Sequence, residues 1–139
     1  MTDTGANITT ALQKATKAIA NTVGFPDNLI DWDADIPFKT PGTDHLEVRH
    51  FRNTPISPNW GAGGIFVGIW QISLVTFKQK GEIPAMTYLG QLIDVFDKDA
   101  EFWEGSTRVQ VSGKPSILTV VQEGQKASYP LSIPYRCTA

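Results

Sequence analysis

The longest apolar run of the chain, residues 63–77, has the pattern of a central β-strand. Alternate positions place one apolar set on one face: Phe66, Trp70, Ile72 and Leu74. The opposite face has a second apolar set: Ile65, Val67, Ile69, Val75 and Phe77. β-branched and aromatic residues dominate, which favours a strand over a helix. We therefore expect a strand covered by helices on one side and partly covered on the other, with a bulge or bend at Gly68.

Two segments instead repeat their apolar residues with helical spacing. The first stripe predicts a helix over 7–22, which Gly24 and Pro26 terminate. It consists of Ile8, Leu12, Ala15, Ile19 and Val23. The second stripe predicts a helix over 83–97 with Pro84 in its first turn. It consists of Met86, Leu89, Leu92, Ile93 and Phe96. Residues 1–6 are small and polar, so we expect a flexible N-terminus.

Shorter alternating segments predict the remaining strands. They cover residues 29–33, 45–52, 106–112, 115–122 and 126–136, and Glu123-Gly124 is a hairpin signal between the last two. Residues 53–64 are rich in Pro, Gly and Asn and predict a long loop of a kind that is often functional. The fold class is therefore α+β: a mostly antiparallel sheet with two helices on one face, in one domain over 1–139.

Two prolines suggest where the last strand lies. Residues four apart in a strand point their N–H groups to the same side, so Pro130 and Pro134 remove two donors from one side only. A strand bonded on both sides would not tolerate this loss. We therefore predict that 127–136 is an edge strand, protected against further strand pairing.

Composition excludes several function classes. The net charge is −2 and the 12 Lys and Arg residues are scattered, which argues against a general nucleic-acid binder. The single cysteine, Cys137, excludes an internal disulfide and a thiolate metal cluster, and a buried thiol is the simpler interpretation than a nucleophile. The N-terminus lacks the pattern of a signal peptide.

No residue set points clearly to catalysis or to a cofactor. Asp31, Asp33 and Asp35 alternate and could hold Ca²⁺ or Mg²⁺, but a solvated acidic segment explains them without an ion. His45 and His50 lack the spacing of a zinc site, and the glycines of 61–64 are not followed by Lys-Ser or Lys-Thr. We assign no catalytic, cofactor-binding or metal residue, and expect a protein that is not an enzyme.

Aromatic residues in predicted loops are the remaining candidates. Phe38, Trp60 and Trp103 lie outside the periodic core positions, as is typical of interface residues. They could equally cover the ends of a small core.

Three segments of the chain form a pattern through their order and spacing. The first is Ile30-Asp-Trp-Asp33 with Ile36-Pro-Phe38 and Leu46-Glu-Val48. The second is Gly68-Ile-Trp-Gln-Ile-Ser-Leu-Val75 in the predicted central strand. The third runs from Arg108-Val-Gln-Val111 through Pro115-Ser-Ile117 to Tyr129-Pro-Leu-Ser-Ile-Pro-Tyr-Arg136. Together the three segments resemble the tail terminator-like proteins of long-tailed phages and prophages, and the second is similar to the central strand of that family.

The resemblance implies a structural virion protein at the head-proximal end of the tail, assembled in the host cytoplasm. Such proteins form a homohexameric ring that ends polymerisation of the tail tube and offers a docking surface for the head. The implied partners are the chain itself, the tail tube protein and head–tail connector or neck proteins, while DNA passes through the lumen without specific binding. A protected edge strand at Pro130 and Pro134 would suit a protein that ends a stack. Arg52 and Trp60 are our candidates for a ring or tube contact, with Phe38 and Trp103 as further interface candidates.

Three alternatives stay open. The chain could be a head–tail connector, neck or minor tail protein of the same particle. It could be a binding module that never enters particles. A small enzyme is the third class, for which the three aspartates are the sole sequence feature.

Overall fold

The computed structural model describes residues 4–26, 29–32, 44–52, 65–77, 82–124 and 126–138. Helix α1 spans Thr4–Val23 and helix α2 spans Glu82–Val95. The strands are β1 (Ile30–Asp31), β2 (His45–Arg52), β3 (Ile65–Thr76), β4 (Glu101–Glu104), β5 (Thr107–Val111), β6 (Ser116–Ile117), β7 (Val121–Glu123) and β8 (Lys126–Thr138). The fold is α+β with a mostly antiparallel sheet, as the sequence predicted; the short β1 is the parallel exception.

Helix α1 begins at Thr4, so part of the segment 1–6 is helical. Its end follows the prediction: Gly24 has φ of 105°, and the Phe25 N–H donates to the Ala20 carbonyl at 2.7 Å. The buried line starts at Ile8 and Leu12 but continues through Thr16 and Ala20, while Ala15, Ile19 and Val23 are half-buried. The predicted stripe was therefore rotated by part of a turn from the observed one.

Trp70 explains why a polar residue occupies the buried line of α1. The indole N–H of Trp70 donates to Thr16 Oγ1 at 2.9 Å, and the Thr16 hydroxyl donates to the Leu12 carbonyl at 2.8 Å. Both side chains are nearly inaccessible to solvent. Since a buried indole N–H without an acceptor would be costly, Thr16 fixes the position at which α1 crosses the sheet.

Strand β3 is central, as predicted, with β2 on one side and β8 on the other. Its inner face bears the buried Trp70, Ile72 and Leu74, and its outer face is half-buried at Ile65, Val67 and Ile69. One cluster of buried side chains joins this inner face to residues of both helices, including Leu12 of α1 and Leu89 of α2. Packing of both helices on one face of the sheet stays a prediction.

The sequence predicted a bulge or bend at Gly68. The bulge is absent, because the strand register continues through this residue. Gly68 pairs in unbroken register with Arg52 on one side and with Tyr135 on the other. A Cβ atom at this position would lie 2.6 Å from both the Phe51 carbonyl oxygen and the Tyr135 hydroxyl. The glycine is therefore required because the Tyr135 side chain crosses it.

The prediction that 127–136 forms an edge strand is wrong. Strand β8 pairs with β3 along one side and with β5, β6 and β7 along the other. The two prolines do face one side only, since Ser112 N–H donates to the Pro134 carbonyl and Leu118 N–H donates to the Pro130 carbonyl. That side is occupied by three short strands, and both prolines fall where one short strand gives way to the next.

The last third of the chain has more strands than the sequence indicated. The predicted strand 115–122 is divided into β6 and β7, and β4 was not predicted at all. The predicted hairpin at Glu123-Gly124 is confirmed: Glu123 pairs with Lys126, and Gly124 has φ of 61°. Helix α2 ends two residues earlier than predicted, and Phe96 just beyond it is fully buried.

Candidate functional site

A polar cluster lies where the N-terminal half of α1 meets the sheet. Tyr135 crosses Gly68 and shares a hydrogen bond of 2.5 Å with Nε2 of His50. The other ring nitrogen of His50 lies 3.4 Å from Thr9 Oγ1 on α1. The imidazole also contacts the edge of the Trp70 ring, with centroids 5.2 Å apart. This chain of contacts joins α1, β2, β3 and β8 at one point.

Arg52, a predicted interface residue, reaches the same cluster from the end of β2. Its guanidinium donates to the Gly5 carbonyl at 3.2 Å and to Thr9 Oγ1. It therefore contacts the first turns of α1 while it remains exposed. Beside it lies a cavity of about 160 Å³ that His50, Trp32 and Gln13 help to line.

Burial raises the pKa of the Tyr135 hydroxyl, and the nearby Arg52 guanidinium offsets part of this increase. A phenol in this state remains neutral well into the alkaline range, so it serves as a hydrogen-bonding group rather than as a nucleophile. The cluster is therefore a structural junction.

Asp31, the described member of the aspartate set, lies on the outer face at the β1–β2 end of the sheet. Asp31 pairs in register with Glu47, and Arg49 Nη2 lies 3.2 Å from Asp31 Oδ2. On the same face, Nε2 of the buried His45 lies 3.5 Å from Glu47 Oε1. The Arg49 guanidinium therefore offsets the charge of the Asp31 carboxylate, which lies beside that of Glu47.

Asp31, His45 and Glu47 are also the group that could hold a metal among the described residues, since their ligand atoms lie within 4.8 Å of one another. An ion there would compete with Arg49 for Asp31 Oδ2. Asp33 and Asp35, the other two members of the predicted aspartate set, lie outside the described residues.

The thiol of Cys137 is buried, in agreement with the sequence prediction. Burial raises its pKa, and Arg108 offsets part of this increase. Since the thiolate is the nucleophilic form, this environment disfavours reactivity.

Trp103, another predicted interface residue, lies on β4 at the end of the sheet path and is 57% exposed. Arg108 lies directly opposite it on β5 and contacts Glu101 through a 3.3 Å ion pair. The exposed Arg136 of β8 pairs in register with Gln110, the next outward-facing residue of β5. Trp103, Arg108 and Arg136 together form what we name the basic aromatic patch. Phe38 and Trp60, the other two candidates, lie outside the described residues.

Sequence reasoning missed a second exposed surface. Ile117, Leu118, Val120 and Val121 are between 36% and 51% exposed, and we name residues 117–121 the aliphatic strip. The pattern of the strip is that of an ordinary strand, so the sequence predicted 115–122 as part of the sheet. The absence of any charge between Pro115 and Glu123 is typical of a buried strand, so it gave no signal of this exposure.

No helix within the described ranges is long and apolar enough to cross a membrane. A search of curated protein sequences found no match to this chain.

Nine chains in solved structures match this chain, and two of them illustrate the shared fold. One, a protein without a descriptive name, has a TM-score of 0.76 and 19% identity, and the alignment covers 94% of this chain and 92% of the other. A chain from the virion of a native gene transfer agent particle has a TM-score of 0.67 and 17% identity, with all of both chains covered.

The sequence itself matches a family model over nearly its full length. That model describes the phage tail terminator protein, and the match covers residues 7–135. The chain belongs to the phage tail terminator protein family, and its role is a structural one in the phage tail.

Proposed function

We propose that the protein forms a ring on the head-proximal end of the tail tube, where it ends tube polymerisation and offers the surface to which the head docks. The observation that carries this proposal is the family match over residues 7–135. The mechanism is binding by complementary contact and involves no chemical step.

Other observations support the proposal. A chain with the same fold is part of the virion of a gene transfer agent particle. The two exposed surfaces of this chain, the basic aromatic patch and the aliphatic strip, offer side chains for contacts with other proteins. The net charge of −2 suits a ring through which DNA passes without being held.

The proposed partners are five further copies of the chain in a hexamer, the tail tube protein, and connector or neck proteins of the head. We also propose Arg52, Phe38, Trp60 and Trp103 as contact residues. A protected edge strand does not contribute to this function, because β8 lies inside the sheet.

Gold labelling of a C-terminal tag on intact particles tests the location. We expect one label cluster per particle at the junction of head and tail, while a tagged tail tube protein labels the whole tail. A host producing particles without this protein should accumulate tails of irregular length that lack heads. Label at the tail tip would favour a minor tail protein, and absence from purified particles would favour a binding module outside the virion; both contradict the proposal.

The contact residues have their own test. Arg52→Glu combined with Trp60→Ala should reduce the number of particles with joined heads and tails. Unchanged assembly would exclude this pair as a contact. Because Arg52 also bonds to α1, the melting temperature of the variant must first be shown to match that of the parent.

A further inference from the structure

The aliphatic strip has the chemistry of a covered surface. Of the large apolar side chains that are exposed among the described residues, four of seven fall in these five consecutive positions. On the described part of the chain, β6 and β7 pair with β8 alone, so the strip also has an unpaired strand edge. Exposed aliphatic side chains beside an open edge favour association with another protein.

The strand register divides the strip between two faces: Ile117 lies opposite Leu131 of the inner face, whereas Val121 lies opposite Ser128 of the outer face. A groove of about 280 Å³ runs beside Val121 on the outer face. Val121 lines it together with Glu47, Glu123 and Lys126. Glu123 and Lys126 lie opposite each other in the β7–β8 hairpin. The groove therefore has two carboxylates and one ammonium group, with Val121 and Pro130 as its apolar lining, which suits a partner with basic side chains and an aromatic ring.

The basic aromatic patch supplies that chemistry on the same chain. Trp103 is 57% exposed, and around it Arg108 and Arg136 outnumber the neighbouring Glu101. Along β8, Arg136 and Ser128 at the strip are eight residues apart, which corresponds to about 26 Å in an extended strand. The two surfaces are therefore separate on one copy and complementary between copies.

We infer that the basic aromatic patch of one copy binds the aliphatic strip and its acidic groove on a second copy of this chain. Trp103 packs on Val121, the part of the strip that shares the outer face with the groove, and the two arginines face Glu47 and Glu123. Two different complementary surfaces allow each copy to bind one neighbour on each side, as a cyclic ring requires. This inference rests on the proposed function, because the ring supplies the partner.

Directed cross-linking tests which surfaces meet. Ser106 is exposed in the turn next to Trp103, and Thr119 is exposed within the strip, so Ser106→Cys and Thr119→Cys leave the proposed contacts in place. The native Cys137 is buried and serves as an internal control. With a short bismaleimide, a mixture of the two variants should give cross-linked dimers, whereas each variant alone should give few. The matched control, Thr22→Cys on the exposed side of α1, should give none with either.

Two cross-linking results would overturn the inference. One is the absence of a product between the Ser106→Cys and Thr119→Cys copies. The other is a Thr119→Cys product that forms as readily alone as in the mixture, because the strip would then meet itself.

Charge exchange tests the ionic part by sedimentation velocity. Arg136→Glu and Glu123→Arg should each weaken self-association at least about tenfold, and the double variant should recover most of the loss, because the charges are then exchanged between the two surfaces. Additive losses in the double variant, or a parent protein that remains monomeric at every concentration, would contradict the inference.

The two proposals fail in different ways. Cross-linked copies with no label at the head–tail junction would refute the proposed function and retain the contact. A correct location without the patch-to-strip product would refute the contact and leave a ring built through another surface. A closed pair instead of six copies would retain the contact and contradict the hexamer.

Discussion

The two sides of strand β8 are built differently. Towards β3 the pairing is complete, with twelve successive residue pairs from Ala127 to Thr138. Towards the other side β8 meets β5, β6 and β7 in turn, and each covers only two or three of its residues. The complete side contributes to the core, while the interrupted side ends in the exposed aliphatic strip.

The register explains the interruption. Val111 pairs with Tyr135 and Ile117 with Leu131, so two extra residues are accommodated between β5 and β6. Val121 pairs with Ser128, which adds one more residue between β6 and β7. Pro134 lies at the first shift and Pro130 at the second, where no N–H is needed. A proline in an interior strand is thus tolerated where the neighbouring strand changes register.

Leu131 and Ile117 test this contrast directly, because they face each other across the interrupted side. Leu131 is fully buried and Ile117 is 40% exposed. We expect Leu131→Ala to lower the free energy of unfolding by about 2–5 kcal/mol, since it leaves a cavity in the core. Ile117→Ala should cost less than about 1 kcal/mol, because the site remains open to solvent. Urea unfolding of the monomer measures both; equal losses would show that both sides of the sheet are equally packed.

Gly68 tests the packing on the side where β8 pairs along its length with β3. Gly68→Ala places a Cβ atom 2.6 Å from the Phe51 carbonyl oxygen and the Tyr135 hydroxyl, and the backbone oxygen cannot easily move. We expect a loss of about 3 kcal/mol, at the upper end of the range for overpacked cores. The matched control is Gly90→Ala in α2, where a new Cβ atom meets nothing within 4 Å. It should stabilise the protein by about 0.5–1 kcal/mol, because alanine favours the helix. A Gly68→Ala variant as stable as the parent would mean that Tyr135 does not cross Gly68 in solution.

The sequence predicts features that depend on local chemistry. The strand β2, the central position of β3 and the turn at Gly124 follow from alternation and turn residues alone. The argument that Pro130 and Pro134 face one side was also correct, but the conclusion was wrong, because the register of distant strands decides what lies on that side. Thr16 could not be placed in the buried line of α1 without the indole of Trp70, which lies 54 residues away.

The candidate site was only partly predictable for the same reason. Trp103 was identified because an aromatic residue outside a periodic pattern is unusual. The strip was not, because its sequence is typical of a buried strand and its exposure depends on which elements fail to cover it. Exposure of a well-patterned strand is a tertiary property, so sequence periodicity cannot reveal it.

Changing the position of proline in β8 should have a smaller effect on the free energy of unfolding. Ser132 faces the same side as the prolines but pairs with Ser116 of β6. Ser132→Pro should therefore cost about 1.5 kcal/mol, since it removes the backbone donor from a pair with the exposed Ser116 in the sheet. Pro130→Ser is the matched control and should cost less than about 1 kcal/mol, mainly through the greater freedom of the unfolded chain. Urea unfolding midpoints, compared at the same m-value, measure the stability change of both variants. If Pro130→Ser lowers the free energy of unfolding more than Ser132→Pro does, then the proline at the register shift stabilises the fold and is not merely accommodated there.

The smallest expected effect concerns pH and Tyr135 on the complete side. Burial raises its pKa above the ordinary value of 10.0, so the unfolded state releases this proton first as the pH increases. The contribution of Tyr135 to stability is fully present below its pKa in the unfolded state. It is lost as the pH rises through its pKa in the folded state. Stability measured from about pH 8 to about pH 11 should therefore fall more steeply for the parent than for Tyr135→Phe, which has no proton to release. Both proteins should also carry Cys137→Ala, because the charge of Cys137 raises the pKa of Tyr135 and would couple the two titrations. Parallel curves would show that the hydroxyl is hydrated in solution, and the close packing of β3 against β8 at Gly68 would then not hold.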